Sequence, residues 1–390
     1  MAPLPVPAPL SVPARFALLF AAQFAAIGAM MPFLPVVLQA KGLSAEQVSA
    51  VLAAGSAVRL LAAPAIGRGA DGLGDPRRVL VLAAAVAGCT ACGYALAPAG
   101  FAPLLLVALL HSLFLAPVVP LSDALWLGAS RRLRSDYGRV RSAGSAAFIL
   151  GAVAAGQAVA LAGPASAVWL YAGGLLLAAL AAHGLPAEPG AGGRGRTGFA
   201  APFREAPFRW LLPLSALIQG SHALYYGFST IHWTAAGLSP AVIGLLWAEG
   251  VVVEVLMFLW SGRLVARLGP AGLALLAAGA GVVRWAVTAE TTWLPALAAV
   301  QVLHALTFGA QHLGAMRVLA GMPPGQAATA QTLHSSLGTG LAMGVLTFLS
   351  GPLYARLGGG GFWAMAGLCA AALPVALGLR AALRRARPAG

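Results

Sequence analysis

The sequence predicts an all-α membrane protein of twelve transmembrane helices in two six-helix halves. Composition is the first observation. Of 390 residues 60% are hydrophobic and 9% charged, with a mean hydropathy of +0.86, whereas a soluble domain carries about 25% charged residues. The second is spacing, because the apolar residues fall in runs of about 20, the length of a helix that crosses a bilayer. The third is a repeat. AKGLSAEQVSAVLAAGSAVR (residues 40–59) resembles AAGLSPAVIGLLWAEGVVVE (residues 235–254) at an offset of 195, aligning Gly42 with Gly237, Leu43 with Leu238, Ser44 with Ser239 and Gly55 with Gly250. Six-span parallel repeats of this kind place a site between the halves near the bilayer midplane.

The elements follow in order. MAPLPVPAPLSVPA, residues 1–14, is Pro-rich, is expected to be disordered and has no basic segment before Arg15, so the first apolar run reads as a retained span. The N-terminal half covers residues 15–184, with spans at 15–38, 46–66, 79–97, 101–127, 142–162 and 165–184. Residues 185–207, LPAEPGAGGRGRTGFAAPFREAP, form the longest polar interval and read as a flexible cytoplasmic linker. The C-terminal half covers 208–380, with spans at 208–235, 240–262, 271–289, 292–316, 327–350 and 360–380, followed by a tail at 381–390. Each span must be helical, since lipid offers no partner to an unpaired amide.

Charge sets the orientation and excludes one partner class. The net charge of +14 would suggest nucleic acid in a soluble chain, but the arginines lie between apolar spans. Arg77 and Arg78, the five arginines of 131–141, those of 194–209, Arg263, Arg267, Arg317 and the final four occupy one set of loops, while the alternate set holds Lys41 and Arg356. That asymmetry predicts cytoplasmic termini, and a bilayer and not nucleic acid as the charged partner. Cys89 and Cys92 form a CxxC inside an apolar run with no second pair, so neither a metal site nor a disulfide framework is expected. The sequence contains no HExxH, P-loop or GxSxG, and no extra-membrane segment long enough to fold alone, so neither an enzyme nor a sensor is expected.

Polar residues inside spans carry the functional expectation, because ionisable groups there turn towards a cavity and pair. LLWAEGVVVEVLMFLW (residues 245–260) contains Glu249 and Glu254, which are five residues apart and so point roughly 140° from each other on a helix. Glu254 is the leading proton-site candidate because the repeat sets Arg59 opposite it; Glu249 is second. The remaining inventory includes His111, Asp123, Gln219, His222, Arg284, His304, His312 and His334, for which hydrogen bonding between helices is the competing role. GRGADGLGDPRR (residues 67–78) reads as a gating loop, with Gly67 for a tight turn and Asp71, Arg77 and Arg78 for charge pairing across the face, or as an ordinary solvated loop.

The chain resembles the phenylpropionate permease branch of the major facilitator superfamily, relatives of lactose permease. The resemblance rests on a degenerate loop motif in GRGADGLGDPRR and on VVPLSDAL, DYGRVRSAGSAAFILG, LIQGSHALYYGFSTIHW, GLLWAEGVVVEVLMF, GVVRWAV and VLHALTFGAQHLGAMR. It implies that Asp123 and Arg141 take the places of lactose permease's substrate-binding acid and arginine, and that Arg284 and His304 match its span-nine arginine and span-ten histidine. There are two departures. Thr307 stands where that permease has its proton-carrying glutamate, and Phe148 where it has a stacking tryptophan. Glu254 is shared with the phenylpropionate branch, whereas Glu249 is not part of that pattern. The implied function is proton-coupled symport of a small organic anion, an aromatic acid such as 3-phenylpropionate, by alternating access in a monomer, with the proton as coupling ion and no other cofactor. Arg59, Arg141 and Arg284 are then candidates for the substrate carboxylate, and Phe148, Tyr225, Tyr226 and Trp247 for its ring, with Gln219, His222 and His312 as polar contacts. A proton-coupled sugar or nucleoside symporter and a drug–proton antiporter stay open.

Overall fold

The computed structural model describes residues 10–72, 75–186, 199–260, 262–323 and 325–386, with the side chains of 63–72, 263, 264 and 328 excepted. Among these residues the protein is helical throughout, without strands. Helix covers every apolar run predicted above, and several runs are broken for visible reasons. The first is α1 (Val12–Met30) and α2 (Leu34–Ala40), parted at Pro32, which has no amide hydrogen to donate. α1 begins three residues before the predicted span. Next come α3 (Ala45–Gly72), α4 (Pro76–Ala91) and the short α5 (Gly93–Leu96). α6 (Phe101–Leu115) and α7 (Val118–Leu133) part at Pro117, and α8 (Tyr137–Ala162) and α9 (Ala165–His183) follow.

In the second part of the chain α10 (Ala206–Gly220) and α11 (Ala223–Ala235) part at Ser221–His222, and α12 (Pro240–Trp260) follows. α13 (Gly262–Glu290) contains a kink at Gly269, whose φ of 63° is open to glycine, directly before Pro270. α14 (Leu294–Gln301) leads into a π-helical segment, Ala305–Ala310, and then α15 (Gln311–Ala320). α16 (Ala327–Leu333), a second π segment at His334–Leu341 and α17 (Ala342–Leu357) precede α18 (Phe362–Arg385), which carries helix through Arg384 and Arg385 of the predicted tail. Among the described residues nine helical stretches are long and apolar enough to cross a membrane. Leu61, Leu161, Leu180 and Trp260 are among the large apolar side chains left exposed on the outside.

The predicted gating loop changes character. α3 continues as helix through Gly72, so its glycines do not form a turn there; the side-chain expectations for Gly67 and Asp71 lie outside the described residues. Asp75 is the acid that pairs: it caps α4 through the Arg77 amide at 3.1 Å and faces Arg78 Nε at 3.1 Å. Arg77 places Nη2 3.8 Å from the same carboxylate and donates from Nη1 to the carbonyl of Leu185 at 2.9 Å, tying the start of α4 to the end of α9.

Packing runs chiefly within residues 12–185 and within 201–385. α1 lies on α8 and α9, α4 on α9 and α3 on α6; α13 and α10 lie on α18. The two most extensive contacts that bridge these groups are α8 with α12 and α3 with α17. Both rest on absent side chains. A Cβ on Gly156 would stand 2.7 Å from the Pro240 carbonyl, and one on Gly244 2.5 Å from that of Ala152. Gly351 meets Ser49, whose hydroxyl donates to the Phe348 carbonyl at 3.1 Å. Small residues let backbones approach in this way where lipid supplies no hydrophobic drive.

Candidate functional site

The second part of the chain buries a cation. Arg284, on α13, is 1% exposed and has no carboxylate within ion-pair distance among the described residues. Neutral groups meet its two terminal nitrogens, while Nε has no partner among the described residues. At the break between α10 and α11, His222 sits with Nδ1 3.1 Å from the Ile218 carbonyl, which also accepts from the Ser221 hydroxyl at 2.7 Å. A carbonyl only accepts, so Nδ1 carries the proton and Nε2 is free to accept from Arg284 Nη1 at 3.3 Å. The same Nη1 donates to Thr307 at 3.0 Å and Nη2 to Gln301 at 2.9 Å. Gln301 donates onward to the Tyr225 hydroxyl at 2.7 Å and the Leu246 carbonyl at 3.0 Å. Tyr225 and Trp285 flank the guanidinium with ring centroids 4.9 and 4.4 Å away.

The cluster ends on an acid. Arg284 Nη1 lies 3.1 Å from His304 Nδ1, and because arginine cannot accept, the neutral ring carries its proton on Nε2. That atom stands 3.5 Å from Glu254 Oε2. Glu254, His304 and Arg284 thus form a line from a carboxylate that is 16% exposed to a buried cation. The partner of Glu254 is therefore His304, not Arg59 as the internal repeat suggested; equal depth in two repeats does not make two side chains meet. His312, one α-helical segment further on, is exposed and interacts electrostatically with Glu254. Glu249 is half-buried in a crevice lined by Ile149, Val153, Val242 and Ala298, on another face of α12.

The first part of the chain supplies most of the lining of a cavity of about 490 Å³. Met30, Met31, Val51 and Leu115 line it, α11 and α17 close it through Tyr226, Met343 and Thr347, and Arg59 is its single charged residue. Arg59 is exposed there and donates to Ser56 at 3.0 Å and Ser112 at 3.4 Å. Of the residues expected to hold substrate, Arg59 and Tyr226 line this cavity. Tyr226 connects the two places, stacking on His222 with centroids 5.7 Å apart.

The other expected contacts lie elsewhere. Asp123 and Arg141 pair at 3.3 Å, with Tyr137 donating to Asp123 at 2.8 Å and Phe24 3.9 Å from the guanidinium. Phe148 is buried with its backbone against Gly28, and Trp247 is buried against Tyr225 at 4.7 Å. Gln219 donates to the Phe308 carbonyl at 3.4 Å, and His222, Tyr225 and Arg284 belong to the charged cluster. Sequence reasoning missed Tyr171, Met343 and Gln301, whose roles depend on which helix face turns inward.

A buried arginine in line with a histidine and a carboxylate, beside an apolar cavity in a bundle of long apolar helices, fits the membrane transporters that the chain resembles. Residues 14–365 match the model of the MFS_1 like family, and the chain belongs to that family. It is 36% identical to the "Probable 3-phenylpropionic acid transporter" of Escherichia coli K12, over 88% of this chain and 91% of that protein. It is 29% identical to the maltose permease of Geobacillus stearothermophilus over 87% of each. Among solved structures it resembles the nucleoside transporter NupG, with a TM-score of 0.79 at 16% identity covering 96% of this chain and all of that one. It also resembles a bacterial homologue of the lysosomal transporter Spinster, with a TM-score of 0.74 at 15% identity, covering 97% and 98%. Both likenesses concern the major facilitator fold alone.

Proposed function

We propose that the protein is a proton-coupled symporter of a small organic anion, an aromatic acid such as 3-phenylpropionate. In this reading twelve spans form two six-helix halves in a bacterial inner membrane, with both termini cytoplasmic. The halves rock about the cavity to expose it to each side in turn. The observation that carries the reading is the cavity itself: apolar walls for a ring or chain, and Arg59 as the one charge, free to take a carboxylate. The likeness to the E. coli protein supports the substrate class.

Glu254 serves as the proton carrier, protonated while it faces one side and handing its proton on when the His304–Arg284 line presents positive charge to it. Across a membrane potential each charge moved contributes about 2.3 kcal/mol per 100 mV. The sugar or nucleoside alternative leans on the Asp123–Arg141 pair, but those residues satisfy each other and neither lines the cavity.

Lightly buffered proteoliposomes given 3-phenylpropionate should alkalinise the medium beyond protein-free vesicles, which account for passive permeation of the acid. Silence there, with a signal from sugars or nucleosides, would move the substrate class. Glu254→Gln should abolish proton-driven accumulation and retain downhill exchange; unchanged accumulation would remove Glu254 from the coupling role.

A further inference from the structure

His111, 3% exposed on α6, lies with Nδ1 3.1 Å from the Ala87 carbonyl and Nε2 2.8 Å from the Tyr171 hydroxyl. The carbonyl can only accept, so the neutral ring carries its proton on Nδ1 and accepts at Nε2 from the Tyr171 O–H. The Thr90 hydroxyl, 3.3 Å from Nδ1, gives its own proton to the Val86 carbonyl at 2.8 Å and leaves this assignment intact. Tyr171 has thus committed its only proton inside the protein. What it can still offer is an acceptor oxygen.

Tyr171 and the cavity's cation, Arg59, share one lining. Arg59 lies against Ser112, the residue after His111 on α6. The Ser56 hydroxyl, which accepts from Arg59, donates to the Leu52 carbonyl at 3.0 Å, so it too has no proton for a ligand. Most of the five N–H groups of Arg59 remain without a protein acceptor among the described residues. Arg59 therefore supplies donors, and Tyr171 an acceptor beside them.

We infer that Arg59 and Tyr171 form a two-point subsite for a 2-hydroxy carboxylate. The carboxylate takes Arg59, the adjacent hydroxyl donates to the Tyr171 oxygen, and the apolar remainder lies among Met30, Met31 and Met343. A 2-amino acid carries a donor at the same position, but its ammonium would face the Arg59 cation with no carboxylate in ion-pair reach among the described residues. The inference rests on the proposed role of the cavity as the site for organic anions.

Uptake of labelled 3-phenylpropionate into proteoliposomes, competed by unlabelled acids, tests it. 2-Hydroxy-3-phenylpropionate should compete at about 3- to 10-fold lower concentration than the unsubstituted acid, the range expected of one net hydrogen bond. The 2-fluoro acid, of similar size but without a donor, should show no such gain. In Tyr171→Phe the ratio of hydroxy to unsubstituted acid should fall to parity. A hydroxy acid no better than the parent in the wild type, or a fluoro acid equally improved, overturns the subsite while leaving transport of aromatic acids standing. Absence of uptake or competition by all three acids overturns both. If Tyr171→Phe does not fold, the wild-type comparison of hydroxyl with fluorine decides alone.

Discussion

Arg284 shows how a single side chain organises the second part of this chain. A buried guanidinium is costly unless its hydrogens find acceptors; here His222, His304 and Thr307 share the two hydrogens of Nη1, Gln301 takes one of Nη2, and Nε finds no partner among the described residues. Gln301 has the most partners, since it also holds Tyr225 and the Leu246 carbonyl. Gln301→Leu leaves those groups unpaired and should lower stability by roughly 1–3 kcal/mol per orphaned group, read as a lower melting temperature of the purified protein. Arg59 is different, being exposed to a cavity and lightly held. Arg59→Gln should therefore melt close to wild type yet raise the half-saturation concentration for the acid more than about tenfold, the scale of a lost charge-assisted contact. Sequence reasoning found both arginines because charge inside an apolar span is conspicuous. Gln301 escaped it, because a neutral amide inside a span has no such signature.

At the scale of elements, the departures from regular helix coincide with the candidate site. Pro32 and Pro117 open gaps beside the cavity, the α10–α11 break seats His222, and the π segment Ala305–Ala310 carries Thr307 against Arg284. π segments are rare and appear often at functional positions. The prolines were legible in the sequence, whereas the π segments were not, since nothing in ALTFGA distinguishes them from ordinary helix. The bridging contacts between the two groups of helices rest on glycine. Gly244→Val inserts methyl groups where the Ala152 carbonyl already stands, so α8 and α12 must separate. The expected cost is about 1–3 kcal/mol, seen in thermal unfolding, with Gly244→Ala falling between valine and wild type. A melting curve unchanged by valine would mean that this contact opens freely.

For the whole molecule, the cavity and the acid relay are separate places joined through Tyr226. Coupling in the proposed function then requires movement of helices, because no hydrogen bond or ion pair among the described residues links Arg59 with Glu254. The predicted orientation is checked by labelling from outside intact cells. With the native cysteines replaced, Ala236→Cys should react with a membrane-impermeant maleimide, and Ala386→Cys should react only after permeabilisation. The reverse pattern would invert the topology.

The sequence by itself determined the solvent, the helical class, the position of every apolar run and the family, because lipid forces backbone hydrogen bonds inside each segment and tolerates few charges. It also marked Arg59, Glu254, Arg284 and His304 as residues with work to do. Only the tertiary structure decided who meets whom. Glu254 pairs with His304, Asp123 and Arg141 satisfy each other away from the cavity, and Tyr171 is turned into an acceptor by His111. These outcomes depend on helix rotation and on breaks of a residue or two, which shift a side chain to another face without altering the hydropathy that a sequence reveals.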